Sequence, residues 1–214
     1  MSLKADVRII VADDHGIVRM GLMQTIKRLL PSAVILEVED YKSLYKAILK
    51  EELDLVIMDV NMPNGSVQEA IDYIKMHKPG LKILIFSSQD EEVYALRYLK
   101  MGAGGYLSKQ SYPSIIETAL TAMLTTGRYA SEVVREAMFL GSLSGSTKES
   151  PFETLSDREL QIANKIAEGL SLKEISNQLN LHSSTISTYK NRLFEKLNIR
   201  SVPELVEVLR LYKQ

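Results

Sequence analysis

Cysteine is absent from the 214 residues of this sequence. Disulfide bonds, thiolate catalysis and zinc sites built from cysteine are therefore excluded. Histidine is scarce as well, because only His15, His77 and His182 are present, and their wide spacing gives no sequence signal for a histidine metal cluster. The formal net charge is -1, so no overall basic field indicates a nucleic-acid or membrane partner. Any such surface must be local.

Long apolar runs are also missing. None approaches the roughly 18 residues that a membrane span needs, and the run at residues 9–12 is too short for the core of a signal peptide. We therefore expect a cytoplasmic protein without a membrane partner. Hydrophobic residues make up 45% of the chain and charged residues 25%, which is typical of a globular protein with a real core and excludes a disordered one.

The first part of the chain alternates short apolar runs with helical periodicity. Helices are predicted from about residue 18 to 29 and at 41–49, 67–77, 93–101 and 114–124. Strands that are apolar throughout and alternate with helices indicate a parallel sheet covered on both faces. We predict an α/β domain over residues 1–130, a doubly wound five-stranded parallel sheet. Its strands are predicted at Val7 to Ala12, Val34 to Val38, Leu55 to Met58, Ile83 to Phe86 and Gly105 to Leu107.

The pattern changes after residue 130. We predict a linker over residues 131–151 that is helical at its start and flexible through the small polar residues 141–147. No strand signal follows, and helices are predicted at 157–168, 172–179, 184–197 and 202–212. Ser156 and Glu159 form a capping box, and Gly169 suits a helix end. Residues 152–214 are thus predicted to form a small all-α domain.

Polar and charged residues follow four of the five predicted strands. Ligands in an open parallel sheet bind beyond the carboxyl ends of its strands, so these side chains are expected to line one crevice. Clustered carboxylates repel one another and favour a hard cation such as Mg²⁺ between them. A lysine there suits a phosphoryl oxygen, and an aspartate can itself be the phosphoryl acceptor. The residues concerned are Asp13, Asp14, Asp59, Ser87 and Lys109.

The motifs around these residues are similar to those of receiver domains from two-component response regulators. The resemblance covers residues 5 to 128 and rests on Ile-Val-Ala-Asp13-Asp14-His, Met-Asp59-Val-Asn-Met-Pro63, Ser87-Ser88 and Gly102-Ala-Gly-Gly-Tyr106-Leu-Ser-Lys109. It implies a flavodoxin-like fold and a sensor histidine kinase as partner. It further implies that the chain is no enzyme beyond phosphoryl transfer onto its own aspartate and its hydrolysis. The sequence departs from the family pattern at Ser87, Ser88 and Val67, but no required group is lost.

The resemblance also implies a role for each site residue. Asp59 would accept the phosphoryl group, and Lys109 and Ser87 would hold its oxygens. Tyr106 would turn inward as a switch when Ser87 binds. Mg²⁺ would be held by Asp14, Asp59 and the backbone carbonyl of Asn61, and through water by Asp13.

Other readings of these residues remain open from the sequence. Asp13 or Asp14 alone would also serve as a helix cap, and Tyr106 on an edge strand would also serve simple packing. His15 and His77 are expected to be surface or capping residues. A phosphatase with an aspartate nucleophile is a rival, although it usually has a second aspartate where Asn61 stands. A module that binds a protein or small ligand without phosphorylation is another.

The helical domain has the pattern of a helix-turn-helix, with its turn at residues 180–183. One face of the second helix is apolar, and the other carries Ser184, Ser187, Thr188 and Asn191, whose short polar groups can reach base edges in a major groove. Lys190, Arg192 and Lys196 are candidates for phosphate contacts, although Lys190 projects toward the core side. A bundle used for protein contacts, with an ordinary solvated face, is the alternative.

This domain resembles the LuxR-type helix-turn-helix over residues 152 to 212. The resemblance rests on Leu155-Ser-Asp-Arg-Glu159-Leu, on Ile166-Ala-Glu-Gly169-Leu-Ser-Leu-Lys-Glu174-Ile and on the segment from Ser184 to Leu197. Ser184 and Ser187 stand where the family often has lysine. The helix from Val202 resembles the dimerisation helix of the family but equally suits packing within the domain. A receiver followed by this module is the layout of the NarL/FixJ class, which implies a transcriptional regulator that binds promoter DNA, as a homodimer when phosphorylated.

Overall fold

A computed structural model describes residues 6–143 and 151–212 of the chain. The chain divides into two compact units, Met1–Gly145 and Ser146–Gln214. Each unit is described by itself below. In the described ranges, no helix is long and apolar enough to cross a membrane.

The first unit is built on a five-stranded sheet in the order β2-β1-β3-β4-β5, in which all neighbouring strands are parallel. The strands are β1 (Arg8–Ala12), β2 (Val34–Val38), β3 (Leu55–Met58), β4 (Lys82–Ser87) and β5 (Gly105–Ser108). They alternate with α1 (Gly16–Leu29), α2 (Tyr41–Lys50), α3 (Val67–His77), α4 (Glu91–Met101) and α5 (Pro113–Thr126). The predicted doubly wound parallel sheet is confirmed.

Alternation along the strands divides the core between the two faces of the sheet. On one face, Ile9 and Ile57 pack with Ile26 of α1 and Leu120 of α5 in one buried cluster. Right-handed crossovers then place α2, α3 and α4 on the other face. The central strand β3 is buried along its whole length, as expected for a strand covered on both sides. The sheet order makes β2 an edge strand, where Val34 is 40% exposed.

A sixth helix, α6 (Glu132–Leu143), follows α5 and belongs to the first unit. Its start agrees with the predicted helical beginning of the linker. The prediction of a flexible segment from residue 141 is wrong for residues 141–143, which are helical. A single glycine near a helix end costs only about 1 kcal/mol relative to alanine, and the helix absorbs that cost. The rest of the predicted flexible segment, residues 144–147, lies outside the described residues.

The second unit contains only helices in its described part. A 3-10 turn at Pro151–Thr154 precedes α7 (Asp157–Ala167), α8 (Leu172–Leu179), α9 (Ser183–Leu197) and α10 (Val202–Tyr212). Ser156 and Glu159 form the predicted capping box of α7, and a second box caps α8. Gly169 takes the left-handed backbone that ends α7, with φ of 88°. The turn between α8 and α9 begins at Asn180, whose φ of 51° reverses the chain sharply.

Candidate functional site

Two buried aspartates lie side by side at the carboxyl edge of the sheet. The backbone N–H of Asp59 donates to the carbonyl of Ala12 at 2.8 Å, so the residues that follow β1 and β3 are adjacent. Asp13 is 2% exposed and Asp59 is 3% exposed. One oxygen of each is held by a backbone N–H, from His15 for Asp13 at 2.9 Å and from Val60 for Asp59 at 2.8 Å.

Lys109 bridges the two carboxylates. Its ammonium lies 2.6 Å from Oδ2 of Asp13 and 3.0 Å from Oδ2 of Asp59. Its backbone N–H donates to the carbonyl of Ser87, which ties the segment after β5 to the end of β4. Burial raises the pKa of the Asp59 carboxyl above its ordinary value, and Asp13 adds to the rise. The attraction of Lys109 and the hydrogen bond from Val60 offset only part of it.

The outer side of this cluster is open. The side chain of Asp14 is 36% exposed, and the ring of His15 lies against it, with 2.7 Å between Nδ1 and Oδ1 of Asp14. One ligand atom each from Asp13, Asp14, His15 and Asp59 falls within 4.8 Å of the others, so this group can hold a metal ion. Hard carboxylate oxygens of this kind suit Mg²⁺.

The sequence reading missed His15 as a member of this cluster. His15 occupies the N-cap position of α1, but its side chain makes no capping hydrogen bond and contacts the carboxylates of Asp13 and Asp14. Its place directly after the two aspartates was the available signal. Asn61, two residues after Asp59, is half-buried, and its carbonyl as a metal ligand stays a prediction.

Ser87 begins a buried network that leads away from the carboxylates. Its Oγ accepts from the backbone N–H of Gln89 at 3.2 Å. Tyr106 is 1% exposed, and its hydroxyl donates to the carbonyl of Gln89 at 2.7 Å. The hydroxyl of Tyr98 donates to Oε1 of Gln89 at 2.9 Å, and its ring stacks on Tyr106 with centroids 6.0 Å apart. Tyr106 thus takes an inward position with specific contacts, and burial raises the pKa of its hydroxyl. Gln89 and Tyr98 were not predicted, because hydrogen bonds in a loop leave no periodic pattern.

Helix α9 presents the polar face predicted from the sequence. Ser184, Thr188 and Asn191 are exposed and Ser187 is half-buried, while Ile186 and Leu193 are completely buried on the opposite side. The arrangement fits a helix that packs on its domain with one face and leaves the other free for a groove. Whether these four residues contact DNA stays a prediction.

The three basic residues proposed for phosphate contact differ in their surroundings. Arg192 is exposed. Lys190 is half-buried, with its ammonium 5.3 Å from the centre of the Phe194 ring. Lys196 lies 2.7 Å from Oε2 of the buried Glu159 and donates to the carbonyl of Thr154 at 3.2 Å. Lys196 therefore has a structural contact, and phosphate contact by these residues stays a prediction.

The last helix divides its apolar residues between two environments. Leu205 is completely buried and Leu209 is 6% exposed, so both pack within the unit. Val202 is 37% exposed and Val206 is half-buried, and both line a shallow recess on the helix. Packing within the domain thus accounts for two of the four apolar residues, and Val202 and Val206 leave an apolar surface.

Comparison with known proteins gives two family matches. Residues 9–121 match the response regulator receiver domain. Residues 153–209 match the bacterial regulatory proteins of the luxR family. Both correspond to the resemblances stated from the sequence.

Relatives align along nearly the whole chain. The response regulator UvrY of Escherichia coli is 32% identical over 202 residues, covering 94% of this chain and 93% of that protein. The response regulator GacA of Pseudomonas aeruginosa is 31% identical over 199 residues, with 93% of each chain covered.

Solved structures of the response regulator RcsB match as well. One from Salmonella typhimurium matches with a TM-score of 0.62 and 28% identity, covering 96% of this chain and 98% of that one. Another shows two RcsB dimers bound to two parallel DNAs, with a TM-score of 0.58, 26% identity and coverage of 97% and 99%.

Proposed function

Since the chain belongs to the response regulators of the NarL/FixJ class, we propose that a sensor histidine kinase transfers a phosphoryl group to Asp59. The observation that carries this proposal is the buried carboxylate of Asp59, held at the carboxyl edge of the sheet beside Asp13 and Lys109. Asp59 is proposed as the acceptor because it stands where the receiver motif has its phosphoryl acceptor, after β3, whereas Asp13 and Asp14 both follow β1.

In the proposed step, an oxygen of Asp59 attacks the phosphorus of the phosphohistidine. The P–O bond forms, the P–N bond breaks, and its electron pair stays on the imidazole of the kinase. Lys109 can pair with an oxygen of the transferred phosphoryl group, because its ammonium already lies 3.0 Å from Oδ2 of Asp59. Ser87 at the end of β4 donates its hydroxyl to another oxygen of the aspartyl phosphate. Attack by water on this phosphate returns Asp59 to its free form.

The carboxylates fit Mg²⁺, which Asp14, Asp59 and the carbonyl of Asn61 would hold directly and Asp13 would hold through water. A bound Mg²⁺ would supply positive charge to balance that of the phosphoryl oxygens. This assignment is supported by the surroundings of the two aspartates, because Asp13 is held by the N–H of His15 and by Lys109 while Asp14 stays accessible.

Phosphorylation is proposed to act through Ser87 and Tyr106. If Oγ of Ser87 moves toward the phosphoryl group, its hydrogen bond from the backbone N–H of Gln89 changes, and the carbonyl of Gln89 also holds the hydroxyl of Tyr106. The change therefore reaches β5, which carries Tyr106, and α4, whose Tyr98 also donates to Gln89. This is a two-state switch biased by local charge.

The output is proposed to be binding of promoter DNA by a homodimer, with α9 in the major groove. RcsB, which matches over 97% of this chain, has been solved as DNA-bound dimers. We assign residues 1–130 to the receiver, 131–151 to the linker and 152–214 to the DNA-binding domain. We also propose a cytoplasmic location, because the protein would have to reach both the kinase phosphoryl donor and promoter DNA.

Intact mass tests the phosphoryl transfer. The protein is incubated with Mg²⁺ and a small-molecule phosphodonor, and one added phosphoryl group is expected on the wild type and on Asp72→Asn, which changes an exposed aspartate of α3. No addition is expected on Asp59→Asn or in the presence of EDTA. Addition to Asp59→Asn at the wild-type level would refute Asp59 as the acceptor, and no addition even with a cognate kinase would favour a module that works without phosphorylation.

A further inference from the structure

The polar face of α9 carries no lysine or arginine, since Lys190, Arg192 and Lys196 lie elsewhere around the helix. At 3.6 residues per turn, Ser184, Ser187, Thr188 and Asn191 fall within an arc of about 100°. Recognition helices contact base edges mainly through their N-terminal residues. Glu195 shares the arc but lies about 6 Å farther toward the C-terminus of the helix than Asn191. The base-reading chemistry of α9 is therefore that of three hydroxyls and one amide.

Two of the three hydroxyl groups already donate their only hydrogen to backbone carbonyls of α9. Oγ of Ser187 donates to the carbonyl of Ser183 at 3.0 Å, and Oγ1 of Thr188 donates to the carbonyl of Ser184 at 3.0 Å. Both oxygens can therefore only accept a hydrogen bond from a base in this rotamer, and Thr188 adds a methyl group. Neither side chain can make a bidentate contact with a base.

Asn191 is the one side chain of this face whose donor and acceptor are on separate atoms, as a bidentate contact with a base requires. It is exposed, and its amide has no hydrogen-bond partner within residues 151–212 as the structure describes them. An asparagine amide is complementary to the major-groove edge of adenine, since Oδ1 accepts from N6 and Nδ2 donates to N7. We propose that Asn191 reads an adenine in each operator half-site and is the specificity-determining residue of α9.

The positions of the basic residues support this assignment. Guanine is read most often by an arginine or lysine that contacts O6 and N7 together. The ammonium of Lys190 lies over Phe194 at the edge of the core, and that of Lys196 is paired with Glu159. Arg192 is exposed but lies about 100° around the helix from Asn191, where a phosphate is the nearer target. The base pair beneath Asn191 is therefore expected to be A·T.

Selection from a randomised duplex library tests the proposal, which depends on DNA binding and not on the phosphorylation scheme. The full chain, treated with phosphodonor and checked for phosphoryl content by mass, is used as wild type and as Asn191→Ala. The wild type is expected to enrich an adenine that Asn191→Ala no longer prefers, with a loss of about tenfold in preference at that position alone. Asn177→Ala, which removes an exposed asparagine of α8, is the matched control and is expected to keep the wild-type preference.

A modified base then isolates the contact. Replacing the selected adenine by 7-deazaadenine removes the N7 acceptor. This replacement is expected to weaken the wild type several-fold and to leave Asn191→Ala unchanged. The proposal is overturned if Asn191→Ala selects the same adenine, if the wild type selects guanine there, or if it enriches no sequence. Retention of DNA without base preference would overturn the reading by Asn191 while leaving DNA binding intact.

Discussion

Replacing Lys109 by methionine would leave two buried carboxylates without their cation. Lys109 is 10% exposed in its side chain, and its partners Asp13 and Asp59 are 2% and 3% exposed. A surface pair of the same length gives a direct comparison, because Lys78 lies 2.9 Å from Glu52, whose side chain is 90% exposed. The two lysines thus make contacts of similar geometry and differ in burial.

Burial decides the magnitude expected for each substitution. Removing one partner of a buried ion pair typically costs about 3–5 kcal/mol, because the remaining charge stays desolvated and unpaired. Breaking an exposed pair costs about 0–1 kcal/mol. For a unit of this size, about 3 °C of melting temperature corresponds to 1 kcal/mol. Lys109→Met is therefore expected to lower the first unit's melting temperature by about 10–15 °C, and Lys78→Met by no more than about 3 °C.

Thermal unfolding in EDTA measures both effects, with the helical unit as an internal reference on the same chain. Mg²⁺ should restore part of the stability of Lys109→Met by mass action, since the cation binds only the folded carboxylate cluster. Asp59→Asn added to Lys109→Met should also restore part of it, because it removes one of the unpaired charges. The reasoning is refuted if Lys109→Met unfolds within about 3 °C of Lys78→Met in EDTA.

Two further predictions concern buried hydrogen bonds. Burial raises the pKa of Glu159, but hydrogen bonds from Lys196 and Ser156 outweigh it, and the pKa lies below its ordinary value. The stability from Glu159 is therefore present above the unfolded pKa of about 4.3 and is lost as pH falls through the lower folded pKa. Glu159→Gln should lower the unfolding free energy of the helical unit at pH 7 by about 1–2 kcal/mol and flatten its decline below pH 4.5, and equal pH profiles would contradict this. Tyr98→Phe leaves Oε1 of Gln89 unpaired, so amide hydrogen exchange at residues 88–90 should quicken about tenfold, and unchanged exchange there would speak against the network.

The acidic cluster was predictable because its members follow successive strands. In a parallel sheet the carboxyl ends share one edge, so Asp13, Asp59 and Lys109 had to meet once the strands were identified. The polar face of α9 followed equally from helical periodicity. Both predictions used regular geometry, which a sequence displays directly.

The features that escaped prediction depend on contacts without a period. Gln89, in the loop after β4, accepts hydrogen bonds from Tyr98 and Tyr106, and these contacts are visible only in the folded structure. Lys196 pairs with Glu159 across 37 positions, so the sequence alone offered it as a free phosphate contact. Helix α6 runs past Gly141 because the local cost of one glycine is small.

The charge of the DNA-binding domain bears on how phosphorylation can control it. Residues 151–214 contain nine lysines and arginines and eight acidic residues, and one of the lysines is paired with Glu159. Affinity for any DNA comes largely from phosphate neutralisation, so we expect a single domain of this composition to bind weakly. Coupling two such domains raises the affinity by about 10²–10⁴-fold without a new contact. A strongly basic domain would occupy DNA before pairing, whereas a weakly basic one leaves most of the affinity to the step that Asp59 phosphorylation is proposed to govern.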